Sequence, residues 1–207
     1  MTASDHADSR RLALHGVLLA AGSASRYGSA KQLLPIDGEP MVRRAALAAL
    51  QIGARLLVVT GAHAAAVEAA LAGLPLELLH NPDWEQGMGG SIGCAFRHIG
   101  QSSPASLVLL ADQPQVGAVE LRRLVDAGQR MPGRIIAANH GALLGPPCLF
   151  PQRWYPELAA LSGPQGARGL LQKHAAEVEP LPLPQAAADI DTPEDYRRLL
   201  QDLSRQA

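Results

Sequence analysis

The chain has 207 residues, 47% hydrophobic and 18% charged, with a formal net charge of −1. This suits one α/β domain with a sizeable core, and it supplies neither the basic footprint of a nucleic-acid binder nor a basic patch for a membrane surface. Aromatic residues make up only 3%, so the core must rest on Leu, Val, Ile and Ala. Cys94 and Cys148 are isolated and lack C-x-x-C spacing, which indicates neither a zinc site nor a disulfide framework; both read as packing residues.

Residues 1–13 carry Asp5, His6, Asp8, Arg10 and Arg11 and lack the apolar run of a signal peptide. They read as a disordered lead-in to one domain spanning 14–207. No apolar segment approaches the ~20 residues needed to span a bilayer, so a cytoplasmic location is expected.

The run Val17 to Ala21 reads as a buried, parallel strand. It runs into a loop of small residues, Gly22 to Ala30, and two cations, Arg26 and Lys31, belong to this stretch. Glycine at a strand end lets a ligand approach the backbone, and successive N–H groups can cradle an anion. The spacing matches neither a Walker A loop nor the G-x-G-x-x-G dinucleotide fingerprint, because Ala24 stands where the second glycine of the latter belongs. On chemistry alone the stretch is a triphosphate cradle, with Arg26 and Lys31 supplying full charges.

A helix follows from Pro40 to near Gly53, then a strand over 55–60, a short helix over 64–71 and a strand over 76–80. Gly87 to Ser91 form a flexible Gly-rich loop opening a helix that runs to about Ile99. The segment from Ala105 to Asp112 is a strand ending on a carboxylate, and a helix covers 118–129. Short strands are expected near 135–138 and 148–150, and the Pro-rich run 179–184 reads as an extended edge. Asp189-Ile190-Asp191-Thr192-Pro193 opens a last helix, with Thr192 as its N-cap and Pro193 at its first position. Alternating strands and helices predict a mostly parallel sheet with helices on both faces, its functional loops gathered at the strands' C-terminal ends.

Asp112 is placed to hold Mg²⁺ against a triphosphate. Asp189 and Asp191 are candidates for a second carboxylate; side chains alternate along an extended segment, so both face one side, and Asp191 ranks higher because Thr192 already supplies the cap. Gly87 and Ser91 are read as contacts to base and ribose. His63, His80, His98, His140 and His174 show no metal-binding spacing and are read as structural or surface residues. Gly89-Gly90-Ser91-Ile92-Gly93 is not preceded by a strand, which argues against a hydrolase.

The pattern L-A-A-G-x-x-x-R-x-G-x-x-K-x-L-L-P over Leu19 to Pro35 resembles nucleotidyltransferases that join a nucleoside triphosphate to a phosphorylated acceptor. With NPDWEQGMGGSIG, LLADQP, GPPCLFP, GPQGARGLL and DIDTPEDY in the same order, the chain is similar to MocA-like molybdenum cofactor cytidylyltransferases from Gly16 to Leu203. The resemblance implies a single-domain Rossmann-like fold, with Mg²⁺ as cofactor and CTP and molybdopterin-bound molybdenum as substrates. It also implies transient contact with a molybdenum hydroxylase. It implies a nucleotide site of Leu19, Ala20, Ala21, Gly22, Ser23, Arg26, Lys31, Gly87 and Ser91. In it Arg26, Lys31 and Asp112 serve catalysis, and Asp112 and Asp191 hold the metal. Ala21 stands where guanylyl enzymes more often carry glycine. One departure is Pro164, where the family commonly has Asp in a G-D-x-G-A-R segment, and this bears on acceptor binding. The rival readings are a nucleotidyltransferase using GTP or a sugar or alcohol phosphate, and a non-catalytic cofactor carrier.

Overall fold

The computed structural model describes residues 14–23, 27–141 and 143–205; the lead-in, Arg26 and the last two residues lie outside the described residues. In chain order the elements are β1 (Leu14–Leu19), a small hairpin of β2 (Pro35–Ile36) and β3 (Glu39–Pro40), α1 (Met41–Gln51), β4 (Arg55–Thr60), α2 (Ala64–Ala70) and β5 (Glu77–His80). They continue with α3 (Met88–Ile99), β6 (Ala105–Leu110), α4 (Ala118–Arg130), β7 (Ile135–Asn139), β8 (Leu144–Pro151), α5 (Tyr155–Ala159), α6 (Arg168–Lys173), β9 (Val178–Pro182) and α7 (Pro193–Ser204). The main sheet has seven strands in the order β5-β4-β1-β6-β8-β7-β9. Only β8 is antiparallel to its neighbours; the other adjacent pairs are parallel, as the alternation of strands and helices predicts.

Strand periodicity divides the core in two. Leu18, Leu56, Val58, Leu107 and Leu109 point to the face covered by α1, α2 and α4. Val17, Leu19, Leu57, Val59 and Val108 point to the face covered by α3, α5 and α6. Burial on both faces is why Val17–Leu19 of β1 and Leu107–Leu110 of β6 read as apolar runs. A third, smaller cluster of Ile36, Met41, Ile190 and Leu199 seats α7 against the β2–β3 hairpin.

The structure revises several expected boundaries. β1 starts at Leu14 and ends at Leu19, so Ala20 and Ala21 already belong to the loop. The short strand expected near 148–150 is eight residues long and central, lying between β6 and β7. Pro146 and Pro147 obscured it in the sequence, because proline donates no ladder hydrogen bond. The register of β8 against β7 jumps across them, from Ala137↔Cys148 to Ala138↔Gly145. Edge strand β9 tolerates Pro180 and Pro182 for the same reason. Helices α5 and α6 are too short to show periodicity and were not anticipated.

Gly87 to Ser91 is not a flexible loop. Trp84–Gln86 forms a 3-10 turn, Gly87 adopts φ 98°, and α3 begins at Met88. The glycines here serve close packing: a Cβ on Gly89 would stand 2.5 Å from the Ser162 carbonyl oxygen, and one on Gly93 2.5 Å from that of Leu161. The Gly89 N–H donates to the Gly163 oxygen at 2.8 Å. Gly90 differs, since a Cβ there would meet nothing closer than 3.5 Å. Cys148 is buried in the sheet, where burial pushes its thiol pKa up and keeps it inert, as a packing role requires. No helix among the described residues is long and apolar enough to cross a membrane.

Gly93→Ala is expected to destabilise the fold by about 1–3 kcal/mol through backbone displacement. Gly90→Ala should be neutral or slightly stabilising. Chemical denaturation of the two variants checks this; equal effects would remove the packing role assigned to Gly93.

Candidate active site

The site lies beyond the C-terminal end of β1, flanked by β4 and β6. Small residues let three loops meet there. Ala20 N–H donates to the Val59 oxygen at 2.9 Å, and Ala62 N–H to the Ala21 oxygen at 3.1 Å. A Cβ on Gly61 would fall 2.6 Å from the Ala21 oxygen, so only glycine permits this approach. Two further side chains tether the loop. Buried Gln32 donates from Nε2 to the Gly22 oxygen at 3.1 Å and the Ala20 oxygen at 3.4 Å, while His63 Nε2 meets the Ser23 oxygen at 3.1 Å.

Lys31 is the hub. Its Nζ lies 2.7 Å from Asp112 Oδ2 and 2.7 Å from Asp191 Oδ1. Burial works against the ammonium, but the charges and hydrogen bonds of Asp112 and Asp191 outweigh it, and the Lys31 pKa is raised. Asp112 stands two residues past β6, where Ala111 N–H donates to the Leu19 oxygen at 3.2 Å. Its backbone oxygen accepts from Ile190 N–H at 3.2 Å, which brings the Asp189–Asp191 segment alongside. Ile190 turns into the core, so the two aspartates share the other side, as the period of an extended segment requires. Thr192 caps α7 as expected: Asp195 N–H donates to its Oγ1 at 3.2 Å, and Asp195 Oδ2 accepts from the backbone N–H of Thr192 at 2.8 Å and of Asp191 at 3.2 Å. Buried Gln113 holds the turn after Asp112 by donating to the oxygens of Ala186 at 2.9 Å and Pro146 at 3.0 Å.

These elements enclose a cavity of about 320 Å³, within the usual range of small-molecule sites. Of the residues expected to bind nucleotide, Leu19, Ala20, Ala21, Gly22, Lys31, Gly87 and Ser91 line it, and Asp112 does too. Ser23 does not line it; its carbonyl is taken by His63. Asp191 reaches the site through Lys31. Arg26 lies outside the described residues. Ser91 is buried, and its Oγ accepts from Asn81 Nδ2 at 3.1 Å, so its hydroxyl also braces the start of α3. Trp84, Met88 and Pro164 add apolar surface to the same lining. The Pro164 departure therefore faces the same cavity as the loop after β1; a Cβ on Gly87 would lie 2.7 Å from the Pro164 Cα.

The sequence reading missed Gln32, Gln113, Asn81 and Trp84. A buried amide has no sequence signature, but a tryptophan beside a glycine cluster in so aromatic-poor a chain is a signal that could have been used. Among the described residues no group of three or more His, Cys, Asp or Glu side chains could hold a metal ion. Asp112 and Asp191 nonetheless converge on one cationic centre. That fits Mg²⁺, which takes one or two carboxylates and completes its shell with phosphate and water.

Residues 16–178 match the MobA-like NTP transferase domain. The chain belongs to that family. This nucleotidyltransferase is 35% identical over 199 residues to nicotine blue oxidoreductase of Paenarthrobacter nicotinovorans, covering 89% of this chain and 95% of the relative. It is 25% identical over 188 residues to the molybdenum cofactor cytidylyltransferase of Escherichia coli strain K12, covering 89% and 94%. Among solved structures, the manganese complex of Rv0371C from Mycobacterium tuberculosis H37Rv superposes with a TM-score of 0.75 at 30% identity, covering 91% of this chain and 98% of that one.

Asp189 gives the site a pH dependence. The residue keeps an exposed side, but its carboxyl pKa is pushed up to about 6. Partial burial is the main cause, followed by the Asp112 and Asp191 charges, against a hydrogen bond from Gln113 and the Lys31 ammonium. The fold binds this proton more tightly than the unfolded chain does. The stability Asp189 contributes is therefore complete below the unfolded aspartate value of about 3.9 and is lost as pH rises through about 6. Asp189→Asn, which mimics the neutral form, should raise the thermal midpoint relative to the parent near pH 8, with the gain shrinking toward zero near pH 4. A gain independent of pH would contradict this origin.

Proposed function

We propose that this nucleotidyltransferase transfers CMP from CTP to the phosphate of molybdopterin-bound molybdenum. The products are pyrophosphate and the cytosine dinucleotide form of the cofactor. The observation that carries the reading is the junction of Lys31 with Asp112 and Asp191 beside the small-residue loop at the end of β1. A triphosphate needs a backbone it can approach, cations for its phosphates and carboxylates for its metal, and all three meet there. The apolar side chains of Trp84, Met88 and Pro164 in the lining suit the flat ring of a nucleobase or pterin. Likeness to the Escherichia coli cytidylyltransferase over most of both chains supports CTP and the molybdenum cofactor as substrates.

The chemistry asks mainly for positioning and charge. The acceptor phosphate attacks the α-phosphorus in line, the new P–O bond forms as the bond to pyrophosphate breaks, and the pyrophosphate leaves with the electron pair. A phosphate nucleophile is already ionised, so no side chain must take a proton. Among the described residues, none lining the cavity is a histidine. Asp112 and Asp191 would hold Mg²⁺, which when bound supplies polarisation of the phosphoryl oxygens and charge neutralisation. Lys31 would neutralise the departing pyrophosphate, the role the sequence motif also implies for Arg26.

The test is pyrophosphate release with Mg²⁺ and molybdenum cofactor, comparing CTP, GTP and ATP. Release with CTP alone, with a cytosine dinucleotide product, is expected. Release with GTP, or only with a sugar or alcohol phosphate, would move the substrate; cofactor binding with no release would indicate a carrier. Asp112→Asn should keep the parent's denaturation midpoint and lose about a hundredfold or more in kcat, the scale for removing a group that stabilises transition-state charge. A second reading rests on the 35% identity to nicotine blue oxidoreductase. It requires redox turnover of nicotine blue and no consumption of any nucleoside triphosphate.

A further inference from the structure

A second polar cluster lies at the opposite edge of the main sheet, at the N-terminal ends of its parallel strands. His15 stands beside Arg55 in the register of β1 and β4, and Glu77 opens the neighbouring β5. Strand alternation sets His15 on the side of Val17 and Arg55 on the side of Leu57, the face that α3 covers. From α3 comes His98 in the last turn, and Ser102 follows the helix. These side chains line a cleft of about 180 Å³, roughly 16 Å along β1 from Ala20. We infer that this cleft binds a small tetrahedral oxyanion of the phosphate class between Arg55, His15 and Ser102. The inference does not depend on the nucleotidyl-transfer reading.

The charged groups of the cleft do not pair off. Glu77 is the one carboxylate in its lining, and His98 Nε2 takes that carboxylate at 2.6 Å. Arg55 is exposed and makes no ion pair among the described residues. His15 is only 6% exposed, although it is polar and opens a strand that continues as the apolar Val17–Leu19. Its Nδ1 lies 3.2 Å from Ser102 Oγ, its one hydrogen bond among the described residues, which leaves the other ring nitrogen for a ligand. Burial and the Arg55 charge, opposed by that of Glu77, hold the His15 pKa below its usual value, so the ring by itself stays neutral at pH 7. An anion supplies the opposite charge that Arg55 and an imidazolium need. With a proton taken up, Nδ1–H donates to Ser102 Oγ, while Nε2–H and the Ser102 hydroxyl donate to the anion. Donors from three separate elements suit a tetrahedral anion, whose oxygens spread in three dimensions, better than a planar carboxylate. The negative end of α3 is answered within the chain: the Ile99 oxygen accepts from Ser102 N–H at 3.3 Å, and the Phe96 oxygen from Gly100 N–H at 3.2 Å.

The test titrates sulfate, a phosphate mimic whose own charge is constant between pH 6 and 8, into the full chain. An ionic strength of about 0.15 M screens loose surface attraction. Histidine ring signals are followed by ¹H–¹⁵N NMR, with the His15 signal assigned by its loss in His15→Gln. Sulfate should move the His15 signal toward the protonated form, and should bind more tightly at pH 6 than at pH 8, because binding takes up a proton. Arg55→Met, a change at an exposed position, should weaken binding at least about tenfold through loss of a charge-assisted contact. Asp112→Asn, at the far edge of the sheet, should bind sulfate at His15 as the parent does. Acetate should bind more weakly than sulfate. A His15 signal that sulfate leaves in place overturns the inference, as does equal affinity of the parent and Arg55→Met. Acetate binding as tightly as sulfate overturns the assignment to the phosphate class. Movement of the His63 signal alone would put the anion on the loop after β1, beside Ser23, and contradict the inference as well.

Discussion

The contact between the Lys31 ammonium and the carboxylates of Asp112 and Asp191 joins segments up to 160 residues apart in sequence. Each segment comes from a different part of the fold: the loop after β1, the end of β6 and the stretch before α7. Their meeting depends on the parallel pairing of β1 with β6, which sets Leu19 beside Leu110 and so puts both strand ends at one edge. It depends equally on the Ile190–Asp112 backbone bond and on the cluster that seats α7 against the hairpin. A part-buried lysine between two aspartates is costly in desolvation unless every charge is matched, so the arrangement specifies geometry more than it adds stability.

Around that contact the cavity is shaped by what the side chains leave out. Gly61 lets the loop after β4 lie against Ala21, and Gly89 and Gly93 let α3 sit on the backbone of 161–163. Pro164 is thereby pressed against Gly87 and lines the cavity with Trp84 and Met88. The lining combines charged and apolar side chains, as a nucleotide combines phosphates and a ring.

Much of this was legible in the sequence because the signals are local. Apolar runs stopped by glycine marked β1 and β4, and Thr192-Pro193 with Asp195 marked the start of α7. A carboxylate closing an apolar strand singled out Asp112, and the side-sharing of Asp189 and Asp191 followed from the period of an extended chain. What escaped notice is tertiary. Nothing local says that Lys31 faces two carboxylates and not open solvent, or that Gln32 and Gln113 spend their amides on distant carbonyls. The glycines of 87–93 looked like a flexible loop because close backbone approach and loop flexibility select the same residue. The prolines of β8 hid a central strand behind the features of a turn.

A crystal structure with Mg²⁺ and a non-hydrolysable CTP analogue tests the central claim most directly. The account predicts the triphosphate over residues 20–23, Lys31 turned onto it, the metal touching Asp112 and Asp191, and the base against Trp84, Met88 and Pro164. A nucleotide bound elsewhere, with Lys31 still held by both aspartates, would contradict it.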